Sequence, residues 1–340
     1  MIRVLVTGST GGVGANLVAA LNQRGVDVIG LRRQSSPGDA VDDLQMTPVT
    51  GDILDPDSLR RAVDGVDWVF HAAAISDDWN YPVEQLYRVN VEGTRNVLQA
   101  ALEAGVKRFV YTSSTAALGV PPVKREPIDE TAQFNIPPED WHYGYSKHLA
   151  EQVVQEYVGK GLHAAIVLPA AVMGPRDLKF ISGQLIARVI KQPFLPFPDG
   201  GLNFIDSRDA AAGHIAAAEK GKAGERYILA GHDMTHIESV KRIGEVLGVP
   251  VRTVTIPQFV IPPFGKVINI LHRLRVNIPI ERGRILISRE YLYYDNSKAV
   301  RELGLQVRPF SESVYDAYRW YVEHNYFERW QIPAHALPSV

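Results

Sequence analysis

Tyr143 and Lys147 are the residues whose types and spacing could do the most chemistry. They stand four apart in Tyr143-Gly144-Tyr145-Ser146-Lys147, so on a helix they share one face. A free phenol has a pKa of about 10 and is a poor acid–base catalyst at neutral pH. A lysine ammonium one turn away, together with the cationic ring of an oxidised nicotinamide, would favour the phenolate. A drop of about three units corresponds to about 4 kcal/mol. Such a tyrosine can pass a proton to or from a substrate oxygen while hydride moves to or from the nicotinamide. Lys147 could also hold the nicotinamide ribose. A further hydroxyl should orient the substrate oxygen. Thr112-Ser113-Ser114-Thr115 offers one directly after an apolar run; Ser114 is the first choice and Ser113 the reserve.

A nicotinamide needs a dinucleotide cradle, and the chain opens with one. Thr7-Gly8-Ser9-Thr10-Gly11-Gly12-Val13-Gly14 follows a first apolar run and opens a helix-like stretch. Gly8 would allow the tight turn, Gly11 the close approach to a pyrophosphate, and Gly14 tight packing of helix on strand. The helix N-terminus would supply N–H donors for the phosphates. At the end of the second run stands Leu31-Arg32-Arg33, where a carboxylate would have suited the ribose hydroxyl of NAD. A guanidinium there matches the 2′-phosphate of NADP in charge and shape, so NADP is expected, with NAD as the alternative. Asp52, in Gly51-Asp52-Ile53, could accept from the adenine amino group. The small residues of His71-Ala72-Ala73-Ala74 would let the cofactor lie against backbone, and His71 itself reads as a core histidine.

Alternating elements must position these groups. Short apolar runs at 3–7, 27–31, 47–50, 68–72, 108–113, 163–169 and 226–229 read as strands. Helix-like stretches fall at 12–24, 57–63, 83–104, 143–158, 182–191, 207–219, 236–247, 297–303 and 310–325. The order predicts an α/β, Rossmann-type, doubly wound parallel sheet with strands buried on both faces. We expect a dinucleotide-binding domain over 1–170, mostly a smaller substrate-binding lobe over 171–330 with some elements returning to the core, and a tail over 331–340. Proline and glycine cluster at 119–138, 193–201 and 257–265, which read as loops.

Composition narrows the function. The 340 residues are 46% hydrophobic and 22% charged, as expected of a globular enzyme. A net charge of −2 gives no broad nucleic-acid footprint, and the lack of cysteine removes disulfides, thiolate metal sites and cysteine nucleophiles. No histidine–carboxylate spacing reads as a metal site. No run is apolar enough for a membrane span, and the segment Phe259 to Leu271 is broken by Pro262-Pro263 and Lys266. The first strand follows Met1 so closely that no signal peptide is expected, which suggests the cytoplasm.

Several motifs together resemble the extended short-chain dehydrogenase/reductases, of the NAD-dependent epimerase/dehydratase superfamily. TGxxGxxG is similar to Thr7 to Gly14, HxAA to His71 to Ala74, and NVxGTxN to Asn90 to Asn96. YxxSKxxAE is present as Tyr143, Ser146, Lys147, Ala150 and Glu151. The resemblance implies a catalytic triad of Ser114, Tyr143 and Lys147. It implies that Gly8, Thr10, Gly11, Gly12 and Val13 hold the pyrophosphate, and that Asp52 and Ile53 flank adenine. Ala72, Ala73, Asn90 and Pro169 would line the rest of the cofactor cleft. The late lobe looks like the branch with dihydroflavonol 4-reductase-like and hopanoid-associated sugar-epimerase-like proteins. Leu202 or Asn203 stands where nucleotide-sugar enzymes usually carry an arginine, although Arg176, Arg282 or Arg284 could serve.

The expected activity is NADP(H)-dependent interconversion of an aldehyde or ketone with an alcohol. The alternative is an NAD(P)-dependent nucleotide-sugar epimerase or dehydratase, and a non-catalytic redox sensor is a more distant one. Ser76, Trp79, Trp141, Phe197 and Asn203 are candidate substrate contacts. The family's four-helix interface suggests a homodimer, with Val97, Ala100, Ala101, Val153 and Val154 filling its seam or else facing the sheet.

Overall fold

A computed structural model describes residues 2–76, 81–179, 183–192, 194–257, 259, 261, 282–329, 331–332 and 337–338. In chain order the strands are β1 (Arg3–Thr7), β2 (Asp27–Arg32), β3 (Thr47–Thr50), β4 (Trp68–His71), β5 (Arg108–Thr112), β6 (Ala164–Pro169), β7 (Ala171–Met173), β8 (Phe194–Pro198), β9 (Gly201–Asp206), β10 (Arg226–Leu229), β11 (His232–Thr235), β12 (Arg252–Ile256) and β13 (Tyr291–Leu292). The helices are α1 (Gly12–Gln23), α2 (Pro56–Ala62), α3 (Val83–Tyr87), α4 (Gly93–Glu103), α5 (His142–Gly159), α6 (Gly183–Lys191), α7 (Ser207–Lys220), α8 (His236–Leu247), α9 (Arg282–Ile287), α10 (Ser297–Leu303), α11 (Phe310–Glu323) and α12 (Tyr326–Arg329).

The seven apolar runs form one parallel sheet in the order β10-β6-β5-β4-β1-β2-β3. Every residue of β6 is buried, as are Val4, Leu5 and Val6 of β1, because helices flank the sheet. The strand order reverses between β1 and β4, where open α/β sheets form a crevice at their carboxyl ends. Thr7 is in register with Leu31 on one side and His71 on the other, so the chain leaves β1, β2 and β4 at one level.

The single helix expected over 83–104 is interrupted by a π turn at Arg88–Glu92. Such a turn inserts one extra residue and re-aims the local side chains. Here Asn90 is turned into the protein. Val97, Ala100, Ala101, Val153 and Val154 face inward and join the main core, the second of the two places expected for them. The outer surface of α4 and α5 carries instead the Arg95–Glu156 ion pair at 2.6 Å.

A second core lies under the late lobe, built from Met173, Ile186, Leu195, Val240, Val314 and Tyr321 among others. The loop expected at 193–201 holds β8 and the start of β9. β8 keeps its two prolines because it pairs only with β12, in a two-stranded ribbon. β9 lies between β11 and β13 and also pairs with β7. The apolar segment Phe259 to Leu271, apart from Phe259 and Ile261, lies outside the described residues, as does most of the tail.

Tight packing at the start of α1 has a measurable consequence. A Cβ on Gly14 would stand 2.1 Å from the Gly8 carbonyl oxygen, whereas one on Gly159 meets nothing within 4 Å. Gly14→Ala should therefore destabilise by about 1–3 kcal/mol through overpacking. Gly159→Ala should be neutral or stabilise by a few tenths of a kcal/mol. Urea midpoints of the two variants check this.

Candidate active site

A cavity of about 370 Å³ opens at the switch point. Its floor begins at the glycine loop. Gly8 has φ +67°, and a Cβ there would stand 2.7 Å from the Ala73 amide nitrogen. The two chain exits at the switch point thus touch through backbone alone, which only glycine permits. α1 starts after Gly11, and no side chain caps it. Gly12 and Val13, in the first turn, line the cavity, and first-turn N–H groups have no partner within the helix. An uncapped helix N-terminus under a backbone cradle fits a dinucleotide pyrophosphate.

The opposite wall is α5. Tyr143 and Lys147 both line the cavity, together with Ser114 and Trp141. Lys147 Nζ donates to the Thr112 carbonyl at 2.8 Å and lies 5.1 Å from the centre of the Tyr111 ring. Burial lowers its pKa to about 7, and the charge of Glu151 opposes that fall. The two serines differ. Ser113 is buried and gives its hydroxyl proton to Glu151. The half-buried Ser114 caps a short 3₁₀ turn, accepting from the Ala116 amide at 3.2 Å. The geometry therefore favours Ser114 over Ser113 as the hydroxyl available to a substrate.

Other expected residues have different neighbours. Ala72, Ser76, Pro169 and Asn203 line the cavity. Asn203 has its amide engaged at both ends, donating to Asp233 at 2.7 Å and accepting from the Gly231 amide at 2.7 Å. Asn90 is a strut instead of a wall. It brackets Ile75, accepting from its amide at 2.8 Å and donating to its carbonyl at 3.0 Å, and donates to Ser146 Oγ at 2.9 Å. Ser146 Oγ donates in turn to the Tyr143 carbonyl at 2.7 Å, which fixes the first turn of α5. Thr10, Arg32, Asp52, Ile53 and Ala73 lie along the glycine loop and strand ends, outside the cavity lining. Asp52 accepts from the Leu54 amide at 2.9 Å. Phe197 does not reach the cavity. The alternation of β8 turns it into the second core, where it stacks on His236. Trp79 lies outside the described residues.

The cavity also takes residues that carried no sequence signal, Leu292 and Tyr294 among them. Their chain positions lie far from every motif. Arg176, a candidate partner for a substrate diphosphate, is committed elsewhere. It makes two bonds of 2.7 Å to the Asp43 carboxylate and one of 2.6 Å to the Ala40 carbonyl. Among the described residues no cluster of three or more His, Cys, Asp or Glu could hold a metal.

Two histidines brace the site from behind. His71 contacts Thr7 Oγ1 at 2.7 Å and Thr94 Oγ1 at 3.0 Å. His214 donates through Nδ1 to the Ala210 carbonyl and accepts through Nε2 from Thr112 Oγ1. Burial pushes them down to about 3 and about 4, so both are neutral in the fold. The unfolded chain takes up these protons near pH 6.5. Stability should therefore be complete above that pH and fall below it, by about 1.4 kcal/mol per pH unit for each histidine, levelling only below about 4. Urea unfolding at pH 7 and pH 5 measures the loss, and His71→Gln should reduce it.

Comparison with known proteins agrees with this geometry. Residues 4–230 match the model of the NAD dependent epimerase/dehydratase family. A Synechocystis sp. protein provisionally named dihydroflavonol 4-reductase is 37% identical over 94% of this chain and 95% of its own length. Cinnamoyl-CoA reductase 1 of Oryza sativa subsp. japonica is 33% identical over 72% of this chain and 75% of its own. The crystal structure of gox2253 superposes with a TM-score of 0.84 at 34% identity, covering 95% of this chain and 99% of that one. The chain belongs to the NAD-dependent epimerase/dehydratase family, within the extended short-chain dehydrogenase/reductases, and is an NAD(P)-dependent oxidoreductase.

Proposed function

We propose that this enzyme is an NADP(H)-dependent reductase that interconverts an aldehyde or ketone with its alcohol, using Ser114, Tyr143 and Lys147. The observation that carries the reading is the composition of the cavity. Tyr143, Lys147 and Ser114 stand mostly among glycine, alanine, valine, leucine, proline and aromatic residues; Asp177 and Lys179 are the other charged residues of the described lining, which contains no arginine. That wall suits a largely apolar carbonyl compound better than a sugar diphosphate. The reductase names of the similar Synechocystis and rice proteins point the same way. The side chains of Arg282 and Arg284 lie outside the described residues.

Bound NADP(H) supplies the hydride donor or acceptor. The protein does the rest. Ser114 Oγ holds the substrate oxygen by a hydrogen bond. The Tyr143 phenol gives that oxygen its proton in reduction and takes it back in oxidation. The Lys147 ammonium, one turn on, favours the phenolate and so eases both transfers. The apolar wall excludes water and strengthens these charge interactions. Arg32, at the end of β2 opposite Thr50, fits a 2′-phosphate.

Oxidation of NADPH and NADH against a panel of aldehydes, ketones and flavonoid-like carbonyls tests the reading. Tyr143→Phe should lower kcat/KM by about 10²–10⁴. Arg32→Ala should weaken NADPH by roughly 10- to 100-fold, the worth of a charge-assisted bond, and leave NADH unchanged. A nucleotide-sugar epimerase or dehydratase, the alternative within the family, would show no net cofactor consumption and would retain its cofactor through purification.

A further inference from the structure

Of the buried carboxylates that proton transfer does not use, Glu151 lies on the helix that carries Tyr143 and Lys147. Glu151 follows Lys147 by four residues and Tyr143 by eight, so all three lie along one stripe of α5. Its side chain is 8% exposed. One carboxylate oxygen accepts from Ser113 Oγ. The other lies 3.0 Å from Nη2 of Arg226. That guanidinium also donates to the Glu130 and Ala132 carbonyls, at 2.9 Å and 3.0 Å. Glu151 therefore joins three elements that meet behind the cavity. α5 carries the phenol, the end of β5 carries the serines, and β10 carries the arginine.

The charges around Lys147 give this junction a second meaning. From β4, His71 is neutral between two threonines. From α7, His214 is neutral against Thr112 Oγ1 and the Ala210 carbonyl. From β5, Tyr111 presents its ring and Thr112 its carbonyl. Tyr143 shares the helix face, and Arg226 of β10 faces Glu151. Among these groups Glu151 is the single carboxylate. Burial raises the pKa of Glu151 itself, and Arg226, Ser113 and Lys147 oppose that rise; the charge so held acts on Lys147 against the effect of burial.

We propose that Glu151 is a positioning residue: clamped by Ser113 and Arg226, it sets the register of the Tyr143–Lys147 stripe on the end of β5 and supplies the buried negative charge that keeps Lys147 a cation beside the phenol. It touches neither substrate nor cofactor. The inference rests on the reading of Tyr143 as proton donor and acceptor.

The test is a titration of the Tyr143 phenol in the full-length protein. Ultraviolet difference absorbance is taken between each background and the same background carrying Tyr143→Phe, so no substrate is needed. In the unmodified protein the phenol should titrate below the ordinary value of about 10. Glu151→Gln should raise it by about one unit, a tenfold loss of phenolate at fixed pH. Ser113→Ala keeps the charge and should move the phenol by less than half as much. A carboxylate that only braces the fold would change the urea midpoint and leave the phenol where it was, and that outcome overturns the proposal. So does a lowered phenol pKa in Glu151→Gln, which would mean that direct repulsion between Glu151 and Tyr143 outweighs the effect through Lys147. If Glu151→Gln does not fold, Glu151→Gln/Arg226→Met leaves no guanidinium stranded without its carboxylate and must show the same upward shift; an unshifted phenol there overturns the proposal. A phenol that titrates at its ordinary value in the unmodified protein overturns the acid–base reading and this inference together, whereas a lowered phenol that ignores Glu151 overturns the inference alone.

Discussion

Keeping an ammonium inside a protein costs free energy, and the architecture of this enzyme is arranged around meeting that cost at Lys147. The group is buried at the carboxyl end of a parallel sheet, where burial favours its neutral form. A backbone carbonyl at the end of β5, an aromatic face and a carboxylate one helical turn away hold it there. These groups come from separate segments, so they oppose the effect of burial on Lys147 only when α5 sits correctly on the sheet. The catalytic chemistry is in this sense a product of packing.

The sheet order makes that packing possible. Reversal between β1 and β4 opens a crevice, and the exits of those strands meet through Gly8 and the backbone of Ala72 and Ala73. A side chain at Gly8 would close it. The π turn before α4 serves the same end from the other side. It turns Asn90 inward, and Asn90 connects the segment after β4 to Ser146 at the start of α5. The segment after β4 and the start of α5, which carries Tyr143 and Lys147, are thereby held to one another by buried hydrogen bonds, which are costly to break in a low-dielectric interior.

Residues late in the chain complete the cavity wall. Leu202, Leu292 and Tyr294 reach the cavity from β9, β13 and the residue just beyond β13's neighbour Tyr293. They add bulk and apolar surface without adding charge. Arg176, a candidate diphosphate ligand by its residue type, is occupied by the carboxylate of Asp43. Differences between members of this family in what they accept are thus expected to arise in this part of the cavity wall, while Ser114, Tyr143 and Lys147 stay at the sheet end and on α5.

The amino-acid sequence by itself determined the parallel α/β class, the glycine cradle and the pairing of Tyr143 with Lys147. Each is a local pattern: apolar runs of strand length, glycines at set spacing, and two side chains one helical turn apart. Ser297–Leu303 was legible as a helix to the residue for the same reason. Tertiary structure alone decided the rest. Ser113 and Ser114 are adjacent and chemically identical, and only the approach of Glu151 separates them. Phe197 looked like a pocket aromatic until β8 turned it toward the second core. Val97 and its neighbours could have faced a second copy or the sheet, and burial in the protomer settled it. Periodicity shows that a helix or strand has a buried face; what that face meets depends on contacts between segments far apart in the chain, and those exist only once the sheet has formed.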